Sequence, residues 1–132
     1  ILQVDKAEDW VIATGKTTSV RDFIRMAFNY VGIELEFQGE GENEIGIVKS
    51  CSNEKYKIEI GKEVICVDPS YYRPTEVDIL VGDATKANEK LGWKPEYSLE
   101  ELVNEMMESD LKLMNKQQYL KDGGYTIKNY FE

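Results

Sequence analysis

The fold is decided by one stretch, SVRDFIRMAFNYVGIELEF at residues 19–37, which predicts a helix followed directly by a strand. Ser19, with Asp22 three residues later, has the form of a capping box. Gly32 supplies the helix stop. Between them, apolar residues recur at helical spacing, namely Val20, Phe23, Ile24, Ala27, Phe28 and Val31. We therefore expect an amphipathic helix that packs on a core.

Beyond Gly32, the period of the hydrophobic pattern changes to two. Ile33, Leu35 and Phe37 alternate with Glu34, Glu36 and Gln38. This alternation is typical of a half-buried strand with one face in water. The glycine-rich, acidic segment from residue 39 to residue 44 then predicts a solvated loop.

Short apolar runs and cap residues predict the remaining elements. Four further strands are expected, at Trp10–Ala13, Ile45–Val48, Tyr56–Ile60 and Val64–Val67. Another apolar run, Val77–Val81, leads into Gly82 and Asp83. Two more helices are expected, one capped by Asp83 and stopped by Gly92, the other starting with a Ser98–Glu101 capping box and reaching about Lys121. The sequence thus predicts a small mixed α/β fold without a clear repeated βαβ unit.

Composition limits the function of the chain. Its 132 residues match one domain, and a formal charge of −9 disfavours binding to nucleic acid or to an anionic membrane. No apolar run approaches the roughly 20 residues needed to span a bilayer, and the start at Ile1 has no signal-peptide pattern. We expect a cytoplasmic protein cut out of a longer one. With no histidine, histidine-based catalysis and most transition-metal sites are excluded.

The two cysteines and the glycines offer little chemistry. Cys51 and Cys66 are too few and too widely spaced for a disulfide scaffold, and the apolar neighbours of Cys66 predict that it lies in the core. Neither G-x-G-x-x-G nor G-x-x-x-x-G-K-[ST] occurs, and the Gly39-Glu40-Gly41 triplet has carboxylates that would repel phosphate. The sequence predicts no catalytic, cofactor-binding or metal-binding residue in this chain.

One loop, from Val67 to Asp78, carries a candidate binding site. Its sequence VDPSYYRPTEVD places Arg73 and Glu76 after a predicted strand, where α/β proteins hold ligands. Arg73 suits bidentate contact with a diphosphate, and Glu76 suits hydrogen bonds from sugar hydroxyls. The alternative is that Arg73 and Glu76 pair with each other in a surface turn fixed by Pro74.

The same loop carries a family resemblance. The stretches VDPSYYRPTEVD at 67–78, LVGDATKA at 80–87 and LGWKP at 91–95 resemble the C-terminal part of the GDP-mannose 4,6-dehydratases, a family of extended short-chain dehydrogenases/reductases. DWVIATG at 9–15 and SVRDF at 19–23 resemble the same family. LGWKP is shared widely among nucleotide-sugar epimerases and dehydratases, whereas RPTEVD with the preceding VDP-x-Y is more specific to this family.

The resemblance implies a function for the whole enzyme and a partial role for residues 1–132. The family oxidises C4 of GDP-mannose with NADP, eliminates water across C5 and C6, and returns the hydride to C6, giving GDP-4-keto-6-deoxymannose. It implies that Arg73 contacts the diphosphate or ribose, that Glu76 helps to hold the nucleotide sugar, and that the whole enzyme is a dimer or tetramer. The NADP-binding Rossmann-like portion and the Tyr-x-x-x-Lys catalytic set are absent from this chain, so residues 1–132 are expected to bind the substrate without transforming it.

Two alternatives stay open from the sequence. One is a nucleotide-sugar epimerase or reductase of the same superfamily with another sugar specificity. The other is a binding or assembly module that descends from such an enzyme and lacks catalysis.

Overall fold

The computed structural model describes residues 4–73, 75 and 79–126. Within these ranges, three helices and three strands occur in the order α1 (Val20–Tyr30), β1 (Ile33–Gln38), β2 (Ile45–Cys51), β3 (Glu63–Cys66), α2 (Thr85–Leu91) and α3 (Leu99–Asp122). A short 3-10 turn, Gly41–Asn43, joins β1 to β2. The mixed α/β class is confirmed.

Helix α1 and strand β1 form as the opening stretch predicts. The Ser19 hydroxyl accepts a hydrogen bond from the backbone N–H of Asp22 at 3.0 Å, which caps the helix. Gly32 has a φ of +73°. This left-handed conformation ends the helix, and glycine adopts it without the steric cost that a Cβ would add. In β1, Ile33 and Leu35 are buried and the intervening Glu34 is exposed, so the two-residue period is also confirmed.

The three strands form one antiparallel sheet in the order β1-β2-β3. Leu35 of β1 lies opposite Val48 of β2, and together with Ile33 they form the buried centre of the core. Ile24 and Phe28 of α1 pack against this centre. The core therefore lies between the sheet and α1, and helix α3 packs in turn on α1.

The strand predicted at Trp10–Ala13 is wrong. These residues join no ladder in the described structure, and Val11 and Ile12 stay about half exposed. The segment runs beside residues 80–82, where the Thr17 hydroxyl donates to the Leu80 carbonyl at 2.8 Å. An apolar run becomes a strand only when a neighbouring backbone pairs with it, and no backbone among the described residues pairs with residues 10–13.

The strand predicted at Tyr56–Ile60 is also wrong. The Asn53 side chain accepts the backbone N–H groups of Lys55 and Tyr56 at 2.8 and 3.1 Å, which makes a turn at this point. Residues 61 and 62, which follow this turn, occupy the position beside β2 instead. Val48 accepts from the Gly61 N–H at 2.8 Å and donates to the Lys62 carbonyl at 2.9 Å.

The core position expected for Cys66 is wrong as well. Its side chain is exposed, whereas Cys51 is partly buried, and both thiols are free. Cys66 is the last residue of β3, an edge strand of four residues. Apolar sequence neighbours do not bury a residue at such a strand end, because no further strand in the described part of the chain covers it.

The two remaining helices form close to the predicted bounds. The N-cap of α2 is Ala84 and not the predicted Asp83, whose carboxylate accepts the Thr85 N–H at 2.9 Å just before the helix, and Gly92 ends the helix with a φ of +65°. Helix α3 begins with the full Ser98–Glu101 capping box and ends at Gly123. None of the helices in the described ranges has both the length and the apolar character needed to cross a membrane.

Replacing Ser98 with alanine is expected to lower the free energy of unfolding by about 1 kcal/mol, because the Glu101 N–H then loses its acceptor. Urea denaturation measures the loss. Ser109→Ala, in the middle of the same helix, is the matched control and should not destabilise. An equal loss in both variants would contradict the role of the cap.

The capping box also predicts a pH dependence. The backbone N–H and then the hydroxyl of Ser98 hold the pKa of Glu101 below its ordinary value. The resulting stability is therefore fully present above the ordinary glutamate pKa and is lost as pH falls through the lowered pKa. Urea denaturation of Glu101→Gln should show a weaker loss of stability over this acidic range than the parent chain.

Candidate functional site

The loop that carries the predicted binding residues leaves the sheet at a defined edge. Gln38 at the end of β1 pairs with Ile45 at the start of β2, and Ile45 pairs with Cys66 at the end of β3. The turn between β1 and β2 and the loop after β3 therefore emerge side by side. We call this region the turn edge of the sheet.

A hydrogen-bonded turn shapes the first half of the loop. The Asp68 carboxylate accepts the backbone N–H of Ser70 at 2.9 Å and its hydroxyl at 2.7 Å. The hydroxyl and then the N–H of Ser70 hold the pKa of Asp68 below its ordinary value. The N–H of Tyr71 donates to the Asp68 carbonyl at 3.0 Å. The turn presents Tyr71, Tyr72 and Arg73 to solvent.

The loop also packs against the turn between β1 and β2. Gly41 has a φ of +59°, and a Cβ placed on it would lie 3.2 Å from the Tyr72 hydroxyl oxygen. A Cβ at position 41 would require the Tyr72 hydroxyl to move by a few tenths of an ångström, so the loop lies against the turn between β1 and β2.

Two further arginines, both on α1, border the same edge. The Arg21 Nε donates to the Glu44 carboxylate at 2.6 Å, and the Arg21 and Arg25 guanidinium carbons lie 5.7 and 5.1 Å from the centre of the Phe37 ring. Arg25 also pairs with Asp22 at 3.1 Å. Both guanidinium groups are paired with carboxylates. We therefore assign Arg21 and Arg25 the structural role of stabilising the turn edge. Sequence analysis missed this cluster, although the i, i+4 spacing of the two arginines was a usable signal.

The structure places only one of the two predicted binding residues. Arg73 is exposed beside the turn edge. Glu76 lies outside the described residues, as do Pro74, Val77 and Asp78. The proximity of Arg73 and Glu76, and their alternative mutual pairing, remain predictions.

A cavity of about 650 Å³ lies elsewhere, between the segment before α1 and the start of α3. Its walls include Thr14, Lys16, Met26, Tyr97 and Leu102, and its volume is within the range of small-molecule sites. A smaller cavity of about 320 Å³ adjoins the half-buried Trp93. No sequence pattern indicated the larger cavity, because its walls are about 80 residues apart in the chain.

Comparison with known proteins identifies the family. The family profile described as GDP-mannose 4,6 dehydratase matches residues 1–106, a range that includes the loop with Arg73. The chain is 44% identical over 128 residues to a GDP-mannose 4,6-dehydratase of Yersinia enterocolitica, covering 96% of this chain and 34% of that protein. It is 45% identical over 128 residues to the protein of the same name from Vibrio cholerae serotype O1, with the same coverage.

A human relative, also named GDP-mannose 4,6 dehydratase, is 47% identical over 114 residues, which are 86% of this chain and 28% of that protein. The chain spans about a third of the length of the curated relatives it matches. Because the family match extends over most of the chain, the chain belongs to the GDP-mannose 4,6-dehydratase family.

Proposed function

We propose that this chain is the C-terminal, nucleotide-sugar-binding part of a GDP-mannose 4,6-dehydratase. The observation that carries the proposal is the family match over residues 1–106, within which the VDPSYYRPTEVD loop starts at the turn edge of the sheet. The whole enzyme would remove water from GDP-mannose to give GDP-4-keto-6-deoxymannose, as a cytoplasmic lyase active as a homo-oligomer.

Arg73 and Glu76 would hold the substrate. A guanidinium group offers two parallel N–H donors to a diphosphate, and a carboxylate accepts hydrogen bonds from ribose or sugar hydroxyls. The net charge of −9 otherwise repels a nucleotide diphosphate. Arg73, next to the hydrogen-bonded turn at Asp68, would supply local attraction.

The residues of this chain do not fit NADP, the cofactor that the family resemblance implies. A dinucleotide phosphate site needs a glycine-rich connection from a strand to a helix. Here Gly39 and Gly41 lie in a connection between two antiparallel strands, beside the carboxylates of Glu40 and Glu42. We therefore assign NADP binding and the proton-transfer residues to the portion of the relatives that this chain does not span.

Replacing Arg73 with alanine is expected to weaken GDP-mannose binding at least about tenfold, the effect of losing charge-assisted hydrogen bonds to a phosphate. Arg73→Lys keeps the positive charge but loses the bidentate geometry. Its dissociation constant for GDP-mannose should therefore lie between those of the parent chain and of Arg73→Ala. Isothermal titration calorimetry measures the dissociation constants.

Lys112→Ala is the matched control, since it removes one positive charge from an exposed pair with Glu108 on α3. An unchanged dissociation constant in Arg73→Ala would remove Arg73 from the site. UDP-glucose serves as the competing ligand. Equal affinity for UDP-glucose and GDP-mannose would instead favour another nucleotide-sugar enzyme of the same superfamily.

A further inference from the structure

Helix α3 buries one apolar face against α1. Val103 is only 1% exposed, and α3 contacts α1. Glu100 and Asn104 border a small cavity together with Tyr30 of α1. Because successive residues are about 100° apart around a helix, these contacts fix which side of α3 faces α1 and which side faces away from it.

A second apolar face of the same helix is largely exposed. We call it the α3 stripe, and it consists of Leu102, Met106, Leu113 and Leu120. Steps of four and seven residues place these side chains within about 40° of one another around the helix axis. Leu102, Met106 and Leu113 are 46%, 45% and 37% exposed, and Leu120 is partly buried. The stripe extends about 27 Å along the helix, so it is long enough for a second helix to pack along it.

The charged residues on one flank of the stripe change sign halfway along the helix. In chain order they are Glu101, Glu105, Glu108, Lys112 and Lys116, and all five are exposed. Glu108 and Lys112 pair with each other within the helix. Glu105 and Lys116 have no ion-pair partner among the described residues. The flank therefore offers one acidic and one basic group to a partner of matching charge.

We propose that the α3 stripe is a homodimer surface, on which α3 of a second copy packs antiparallel to the first. An antiparallel pairing centred near residue 111 places Leu102 of each copy beside Leu120 of the other. The same pairing places Glu105 of each copy opposite Lys116 of the other, so the flank is complementary to itself. A parallel pairing would place like charges side by side, and their repulsion opposes it.

The pairing has to overcome a net charge of −9 on each copy. At about 0.15 M salt the Debye length is about 8 Å, so distant charges are screened while charges across the stripe stay in contact. One pair of helices buries less surface than a standard protein interface, so the dimer is weak. The family profile ends at residue 106, before the basic half of the flank, and the proposal therefore concerns this chain rather than the family.

Sedimentation equilibrium of the 132-residue chain, at concentrations up to about 1 mM, tests the pairing. The parent chain should show a monomer–dimer equilibrium. Glu105→Lys should raise the dimer dissociation constant about tenfold, although it lowers the net negative charge, because two attractive contacts become repulsive by symmetry. Lys116→Glu should do the same. Glu36→Lys is the matched control, since it makes the same charge change on the exposed face of β1, and it should not weaken the dimer.

An equimolar mixture of Glu105→Lys and Lys116→Glu tests the antiparallel arrangement itself. One copy then carries lysine at both positions and the other carries glutamate at both, so both contacts attract again. The mixture should dimerise about tenfold more tightly than either variant alone, with circular dichroism confirming that both variants are folded.

Three results would overturn the proposal. They are a parent chain that stays monomeric up to about 1 mM, equal dissociation constants in the parent and both variants, and a mixture that dimerises no more tightly than its components. The proposal rests on the homo-oligomer of the proposed function and gives it a surface. No GDP-mannose is present in these measurements, so a negative result would leave the proposed substrate binding unaffected.

Discussion

Replacing Leu35 with alanine is expected to lower the free energy of unfolding by about 3 kcal/mol, within the range of roughly 2–5 kcal/mol for a buried leucine. Leu35 is only 6% exposed and lies opposite Val48 in the buried centre of the sheet. The alanine would leave a cavity that neighbouring strands fill only in part. Because a domain of this size has a stability of about 5–15 kcal/mol, the loss is a large fraction of the total.

Urea denaturation measures this loss, and Glu36→Ala is the matched control. Glu36 is adjacent in sequence but lies on the exposed face of β1, so its replacement should change the free energy of unfolding by no more than about 0.5 kcal/mol. Similar losses in the two variants would mean that β1 does not bury one face as described.

Replacing Gly39 with alanine is expected to lower the free energy of unfolding by at least about 2 kcal/mol, through two separate effects. Gly39 has a φ of +82°, a conformation that costs an L-residue about 1–2 kcal/mol. In addition, a Cβ at this position would lie closer than van der Waals contact to the Asn43 carbonyl oxygen. That oxygen belongs to the backbone and cannot rotate away, so the turn between β1 and β2 has to shift.

Gly61→Ala separates the two effects. Gly61 has nearly the same φ, +85°, but nothing lies within 4 Å of a Cβ placed there. It should therefore show only the conformational cost, about 1–2 kcal/mol. Equal losses in the two alanine variants, measured by urea denaturation, would show that the Asn43 contact contributes nothing.

The helices were predictable because the interactions that start and stop them are local. The Ser98 hydroxyl and the Glu101 N–H are three residues apart in the chain and meet in any helix that begins there. Gly32 and Gly92 adopt the left-handed conformation at the predicted ends of α1 and α2. Each of these features depends on a few consecutive residues, so the sequence contains all the information needed.

The strands were only partly predictable, since a strand also requires a partner. The alternation of Ile58 and Ile60 with charged residues resembles that of β1. Nevertheless, residues 61 and 62 take the hydrogen bonds of Val48. The apolar run beginning at Trp10 likewise has strand composition but no ladder. A hydrophobic pattern of period two indicates which face of a segment is apolar. It does not indicate which other segment of the backbone forms hydrogen bonds with it.

For this protein, the sequence by itself determined the two long helices, the buried face of β1, the family and the loop in which Arg73 and Glu76 were predicted. Only the tertiary structure decided the order of the strands, the exposure of Cys66, the stacking of Arg21 and Arg25 on Phe37, and the ion pairs of Glu8 with Lys86 and Lys90 of α2. The first group depends on contacts within a few residues or on a recognisable motif. The features in the second group depend on which segments, distant in the chain, pack against each other and bury apolar surface. No single stretch of sequence contains that information.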